Sequence, residues 1–419
     1  MPLNVIIIGG GITGLGLALS LMRLNQTDPT FTITVTIYEL RSDPTLTPSI
    51  STLGGAIHLM PNALRLLEYL GILDTVVNEA CDVPRLEIFS HRTGAKLGEM
   101  DFDKPEKFKY RALRVMRSTL VDVMRKKFLE EGGRVRWGME LESIEQPGEE
   151  GSSIRAVFSG GEEVFGDLVV GCDGIHSAVR MKFVDPDRKP VYSGIATAYG
   201  FSDASCLKSE IPFESTGMFQ GRRGSLLTSY CTRDRGRMYA AAVMETDDVV
   251  SKEGWKLASE DQEAVRNRVQ SLFRDGSVPC IGEVIEQVES FFLYPVYKLP
   301  AGGKWVSGRI LLMGDAAHAM PPMGESVGLC LEDAVLFSRI LRHHGPKNLE
   351  HVFDVFEKLR RPRIDAAFKE ADMRWETNKD LGWFFTVIRD WFTAGFMWWM
   401  SSSMEGKFAY DVLEVDLKV

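Results

Sequence analysis

Residues 5–14 read Val5-Ile6-Ile7-Ile8-Gly9-Gly10-Gly11-Ile12-Thr13-Gly14 and run on into Leu15, Leu17, Leu19, Leu21 and Leu24. The continuous β-branched run predicts a strand buried on both faces, as in a parallel sheet. The leucine pattern predicts a helix directly after it. Strand, glycine-rich turn and helix, in that order, give a GxGxxG pattern its meaning. Gly9 allows the tight turn. Gly11 removes a side chain so that a pyrophosphate can approach the backbone, and Gly14 lets the helix pack on the strand. The N–H groups and dipole of the helix N-terminus then face the phosphate anions. A second strand, 31–38, ends at Glu39, where a carboxylate can accept both ribose hydroxyls of an adenosine moiety. The Asn25–Pro29 turn lengthens the spacing between Gly14 and Glu39.

Outward from this nucleus, 419 residues suggest two to three domains. Hydrophobic residues at 44% and charged residues at 26% indicate a globular chain rather than a disordered one. A net charge of −9 argues against nucleic acid as the main partner, because an acidic surface repels phosphate backbones. Cys81, Cys172, Cys206, Cys231, Cys280 and Cys330 have no CxxC or His spacing that suits a metal, so reduced thiols and a cytoplasmic location are expected. The apolar N-terminus is broken by Gly9 to Gly11 and lacks the charged start of a signal peptide. The stretch 381–400 holds Trp383, Trp391, Trp398 and Trp399, but Arg389 and Asp390 in its middle argue against a transmembrane helix. A helix covering the core is the first expectation there, a lid the second and an interfacial contact the third.

The fingerprint alone serves FAD and NAD equally. Two later stretches look like further pieces of one cofactor site. In Asp167–Arg180, a buried strand ends at Asp173-Gly174 and a Ser177-capped helix start follows. In Arg309–Pro322, another buried strand ends at Gly314-Asp315. An Asp past a strand end can hydrogen-bond a polyol such as ribityl, and a helix opening near Gly324 would aim its N–H groups at the flavin edge that becomes anionic on reduction.

With these pieces in order, the chain resembles the FAD-dependent aromatic hydroxylases, the single-component flavoprotein monooxygenases that include salicylate and p-hydroxybenzoate hydroxylases, and most closely the fungal type. The resemblance runs from Val5 to about Arg363. It rests on the Gly9–Gly14 turn with Glu39, Gly55-Ala56-Ile57-His58-Leu59-Met60-Pro61-Asn62-Ala63, Arg117 in Met116–Leu120, Asp173-Gly174, Gly314-Asp315 with Ala316-Ala317-His318, Glu332-Asp333-Ala334 and Arg360–Arg363. It implies an α/β fold: a Rossmann-like, p-hydroxybenzoate hydroxylase-like FAD-binding domain (1–180 and 290–345), a β-sheet substrate domain (181–289) and a helical C-terminal region (346–419).

It also implies roles. Glu39 holds the adenosine ribose and Arg117 reaches the FAD chain near the pyrophosphate. Asp315 binds ribityl, and Asp173-Gly174 supports the pyrophosphate and the NAD(P)H approach. Gly55, Ala56, Gly314, Gly324, Val327 and Gly328 lie along the flavin. For Arg117 alone a surface helix arginine, and for Asp173 a helix N-cap, are the structural alternatives. Where relatives carry Gly-Gln-Gly-x-Asn, this chain has Gly324-Glu325-Ser326-Val327-Gly328. The backbone contacts to the isoalloxazine survive such a change, since they need N–H groups.

The implied reaction uses NADPH or NADH and O2 to hydroxylate an electron-rich phenolic, enolic or indolic molecule, in secondary metabolism or aromatic catabolism, by a monomer or homodimer. The alternatives are an epoxidase or Baeyer–Villiger-type oxygenase, and a flavin-binding sensor without turnover. His58 is the first candidate for the base that takes a substrate proton, as an imidazole near its ordinary pKa of ~6.5 could; a structural histidine is the alternative. Tyr230 and Tyr239, on expected sheet strands, could orient a substrate hydroxyl. Arg223 could pair with a carboxylate or phenolate, although Arg222-Arg223 also reads as a charged hairpin turn. His318 reads as structural.

Overall fold

The computed structural model describes residues 3–28, 32–46, 54–146, 153–247, 252–322, 324–375, 382, 386–393 and 406–418. Its organising element is the strand Leu3–Ile8, central in a six-stranded sheet and paired in parallel with both Ile33–Glu39 and Leu168–Gly171. Arg134–Trp137 extends the sheet on one side and Ile310–Leu312 on the other, again in parallel, with Val306–Ser307 as a short antiparallel edge. Every residue of Leu168–Gly171 and Ile310–Leu312 is buried, as a parallel sheet covered on both faces requires. Helix Ile12–Thr27 leaves the glycine turn and packs on Ser326–His344 and Arg117–Glu130. The core of this layer is continuous from Leu3 to Val412.

A seven-stranded sheet stands beside it. Its strands, in order across the sheet, are Phe292–Lys298, Val191–Asp203, Arg237–Glu245, Gly224–Tyr230, Thr216–Gly221, Arg85–Ser90 and Lys96–Asp101. The sheet strands expected to carry Tyr230 and Tyr239 are present as Gly224–Tyr230 and Arg237–Glu245. The sheet is nevertheless not contained in 181–289. It takes two strands from the preceding segment and one from the following one, because Thr216–Gly221 pairs in parallel with Arg85–Ser90. One face is covered by helices Gln262–Phe273, capped by Asp261, and Pro279–Gln287. The other face turns toward a small sheet made of Ala56–Leu59, Ala112–Met116 and Cys81–Val83.

The C-terminal region is helical through Leu349–Trp375, with Val352, Phe353 and Phe356 on its buried face. It is not helical to its end. Residues 410–418 run as turn and irregular backbone, tied down where Arg65 and Arg339 donate to the carbonyls of Tyr410 and Val412. Of the aromatic stretch 381–400, only 382 and 386–393 lie within the described residues; Trp383, Trp398 and Trp399 fall outside them. Asp390 is buried there and accepts a hydrogen bond from Ser90 Oγ at 2.7 Å, while Trp391 and Phe392 are exposed. Among the described residues no helix is long and apolar enough to cross a membrane.

Candidate active site

Parallel pairing brings the C-terminal ends of Leu3–Ile8, Leu168–Gly171 and Ile310–Leu312 to one rim, and the three glycine-bearing turns leave from it. Gly9 has φ +106°, and a Cβ there would lie 2.5 Å from the Cys172 carbonyl oxygen. A Cβ at Gly14 would lie 2.0 Å from the Gly9 carbonyl oxygen. Both positions are therefore closed to any side chain. At Gly11 a Cβ would meet nothing within 4 Å. Gly9 and Gly14 are fixed by the protein's own packing, whereas Gly11 faces open space, as a position does when a ligand must come close.

Glu39 closes the turn. Its Oε2 accepts the Gly10 N–H at 2.7 Å and its Oε1 accepts the Arg41 N–H at 3.0 Å. Asp173 does what an N-cap does, since its Oδ2 accepts the Val179 N–H at 3.2 Å, and Ser177 Oγ accepts the Arg180 N–H at 2.8 Å. Its other oxygen, Oδ1, is buried without a partner, and burial raises the carboxyl's pKa. A buried acceptor left open beside the glycine turn fits a hydrogen-bond donor that the chain itself does not provide.

The third turn is held from behind. Gly314 has φ +59°, and its N–H donates to Asp333 Oδ2 at 2.9 Å. The same oxygen meets His318 Nε2 at 2.6 Å, so His318 is structural, as expected. Arg360 donates to Asp333 at 2.5 Å and to Glu332 at 2.8 Å, and Arg363 and Asn62 complete the contacts of Glu332. Burial pushes the Asp333 carboxyl up, but His318 and Arg360 together outweigh it and hold the group at about 2. Arg180 and Arg188 donate to the Ala316 and Ala317 carbonyls, capping the short helix Asp315–His318. Asp315 itself is exposed, with Tyr294 and Cys330 in its electrostatic neighbourhood.

The segment 54–63 crosses between these turns and the seven-stranded sheet. The Arg117 side chain packs against Gly54, and the backbone N–H of Arg117 donates to the Gly55 carbonyl at 3.0 Å. A Cβ at Gly55 would lie 2.8 Å from the Tyr239 hydroxyl, and Ala56 and Tyr239 share one apolar cluster. His58 Nδ1 would be 3.7 Å from a Cβ at Gly324. Helix Ser326–His344 starts just beyond, with Val327 buried. A Cβ at Gly328 would fall 2.5 Å from Asn62 Nδ2, so the departure from Asn at this position matches an Asn62 side chain that occupies the space.

Three expectations need correction. Tyr230 is paired with Met238 and therefore points to the helix-covered face, away from Tyr239; strand alternation separates the two. Arg223 is exposed on the turn closed by Gly221 and Gly224, at the far end of the hairpin from the Ser229–Tyr239 pair. Five residues of strand, roughly 17 Å, lie between them. His58 does not have an ordinary imidazole pKa: burial, and then the Arg114 guanidinium, push it well below ~6.5. Its Nε2 is buried without a hydrogen-bond partner, and its ring packs edge-on against Phe102. Arg114 itself was not among the expected residues. The signal was present as an arginine inside the otherwise apolar strand Ala112-Leu113-Arg114-Val115-Met116.

A parallel sheet whose rim carries a GxGxxG turn, the Glu39 carboxylate and two further Asp-bearing turns has the layout of a dinucleotide-binding domain. The chain matches the FAD binding domain family over residues 2–371. It belongs to the FAD-dependent aromatic hydroxylases and is an FAD-dependent monooxygenase. It is 27% identical to a salicylate hydroxylase of Pseudomonas putida, across 90% of this chain and 86% of that one. It is 25% identical to a 6-hydroxynicotinate 3-monooxygenase of Pseudomonas fluorescens, across 91% and 94%. Among solved structures, Klebsiella pneumoniae HpxO complexed with FAD and uric acid superposes with a TM-score of 0.79 at 20% identity, covering 98% of this chain and 97% of that one.

Proposed function

We propose that this monooxygenase uses NAD(P)H and O2 to hydroxylate a small electron-rich aromatic or enolic molecule, held between segment 54–63 and the seven-stranded sheet. The observation that carries the reading is the convergence of the three turns on one rim, with open space at Gly11 and an unpartnered oxygen on Asp173. FAD, when bound, supplies the oxygen activation. The chain's residues bind, orient and shield. Glu39 is anchored by the two N–H groups of Gly10 and Arg41, with lone pairs left for ribose hydroxyls. Arg117, at the start of its helix beside Gly54, provides a cation for the pyrophosphate. Asp315 offers its exposed carboxylate to the ribityl chain. Gly324 and the N-terminus of Ser326–His344 leave backbone N–H groups for the isoalloxazine edge.

On the substrate side, neutral His58 presents an unpartnered Nε2, which by choice of tautomer accepts from a substrate hydroxyl or donates to a substrate oxygen. Tyr239, buried against Gly55, shields this side from the sheet. Exclusion of water by these buried groups is what an oxygen transfer needs. The purified protein should carry yellow FAD and oxidise NAD(P)H with O2. With its substrate it should yield a product one oxygen atom heavier. Asp315→Ala should lose FAD; a variant as fully flavinated as wild type would remove the ribityl role. Reduction of the flavin without any oxygenated product, across a broad phenol and enol panel, would overturn the hydroxylase reading.

A further inference from the structure

The register of the small sheet puts His58, Arg114 and Cys81 side by side in one row across three strands. Cross-strand neighbours share a face. That face meets Tyr239 of the seven-stranded sheet and Cys231, which follows its strand Gly224–Tyr230. Arg114 is 5% exposed, and its Nε makes no hydrogen bond.

The other buried arginines behave differently. Arg180 and Arg188 are closed by backbone carbonyls, and Arg360 by two carboxylates. Among the described residues no carboxylate pairs with Arg114. Its electrostatic neighbours are Tyr239, Cys231, Cys81 and His58. All are neutral at physiological pH, since burial pushes the Tyr239 phenol up, the Cys231 thiol up to about 12, the Cys81 thiol up and the His58 imidazole down. Burial lowers Arg114 itself only to about 10, so it keeps its charge. A buried cation surrounded by neutral groups is costly unless an anion arrives from outside.

We infer that Arg114 is the receptor for an anionic group of the substrate, a ring carboxylate or a phenolate, next to His58 Nε2. The inference deepens the proposed function and rests on it. A guanidinium takes a carboxylate through two parallel N–H donors and takes a phenolate through one or two. In either case the substrate's negative charge replaces the missing counter-ion. A phenol bound this way is favoured as its phenolate, the more nucleophilic form, its proton released to solvent as it binds. The electrostatic work of deprotonation then falls to Arg114, and a strongly basic histidine is not needed.

The test uses the FAD-loaded protein and reads binding from the change in flavin absorbance. Two probe pairs keep ring size constant and vary charge: benzoate against benzamide, and 4-nitrophenol against 4-nitroanisole. Wild type should prefer the anion-forming member of at least one pair by about 10- to 100-fold. The first pair reports a carboxylate site, the second a phenolate site. Arg114→Gln should abolish the preference, and Arg114→Lys should keep part of it. Wild type that binds both members of each pair equally, or none of the probes, overturns the assignment without any variant. So does an Arg114→Gln protein that folds and keeps the preference. Flavin content is read first in the same samples. Protein that cannot be loaded with FAD would overturn this assignment together with the monooxygenase reading; flavin-replete protein indifferent to charge overturns this assignment alone.

Discussion

At the scale of single residues, the glycines of the first turn separate two kinds of constraint. Gly14 is forbidden a side chain by the Gly9 carbonyl at 2.0 Å, whereas Gly11 is left free. Gly14→Ala should therefore destabilise the apoprotein, on the order of 3 kcal/mol, through overpacking against backbone. Gly11→Ala should melt like wild type without FAD and bind FAD markedly less well. Apoprotein melts paired with FAD titration would decide this, and equal FAD affinity in Gly11→Ala would refute it. His58 makes a second prediction. Its pKa is lowered in the folded state, so below pH ~6.5 the unfolded chain takes up a proton that the folded chain refuses. Stability should fall there by up to ~1.4 kcal/mol per pH unit. Urea unfolding at pH 7 and pH 5 should show His58→Gln losing less stability than wild type over that interval.

At the scale of elements, the turn at Gly314 is only as firm as the buried ionic network behind it. Arg360 reaches Asp333, Glu332 and the Leu329 carbonyl, binding helix Leu349–Trp375 to helix Ser326–His344. Arg360→Leu would leave two buried carboxylates short of a cation and should cost about 3–5 kcal/mol in urea unfolding. A loss below ~1 kcal/mol would mean that the remaining contacts of Glu332 and Asp333 suffice. Because the folded Asp333 carboxyl sits at about 2, its contribution should persist at neutral pH. It should fade only as acidity moves from pH ~4 down toward the folded value. The same network explains why Glu332-Asp333 and Arg360–Arg363 were legible together as a motif while their purpose was not. The residues are about thirty positions apart, and only helix packing turns them into support for the turn at Gly314.

At the scale of the whole molecule, the proposed FAD site spans three turns from distant parts of the chain, so FAD binding there should stabilise all of them at once. At one hundred times its Kd, FAD should add ~2.7 kcal/mol and raise Tm by a few degrees. A melting temperature indifferent to FAD would contradict a shared site. What the linear chain determined by itself was the parallel layer with its glycine turn. The β-branched strand, the glycine turn and Glu39 are neighbours in sequence, and short-range geometry decides whether such a turn can form. The strand ends at Asp173 and Asp315 were readable for the same reason. The substrate half was decided only in three dimensions. Tyr230 and Tyr239 look alike in sequence, yet strand alternation and pairing with Met238 and Ser229 send them to opposite faces. Arg223 and Arg114 are both arginines on or near strands, but one lies on an exposed turn and the other is buried with no counter-ion among the described residues. Burial is a property of packing between distant strands, and burial is what lowered His58 and left Arg114 unpaired.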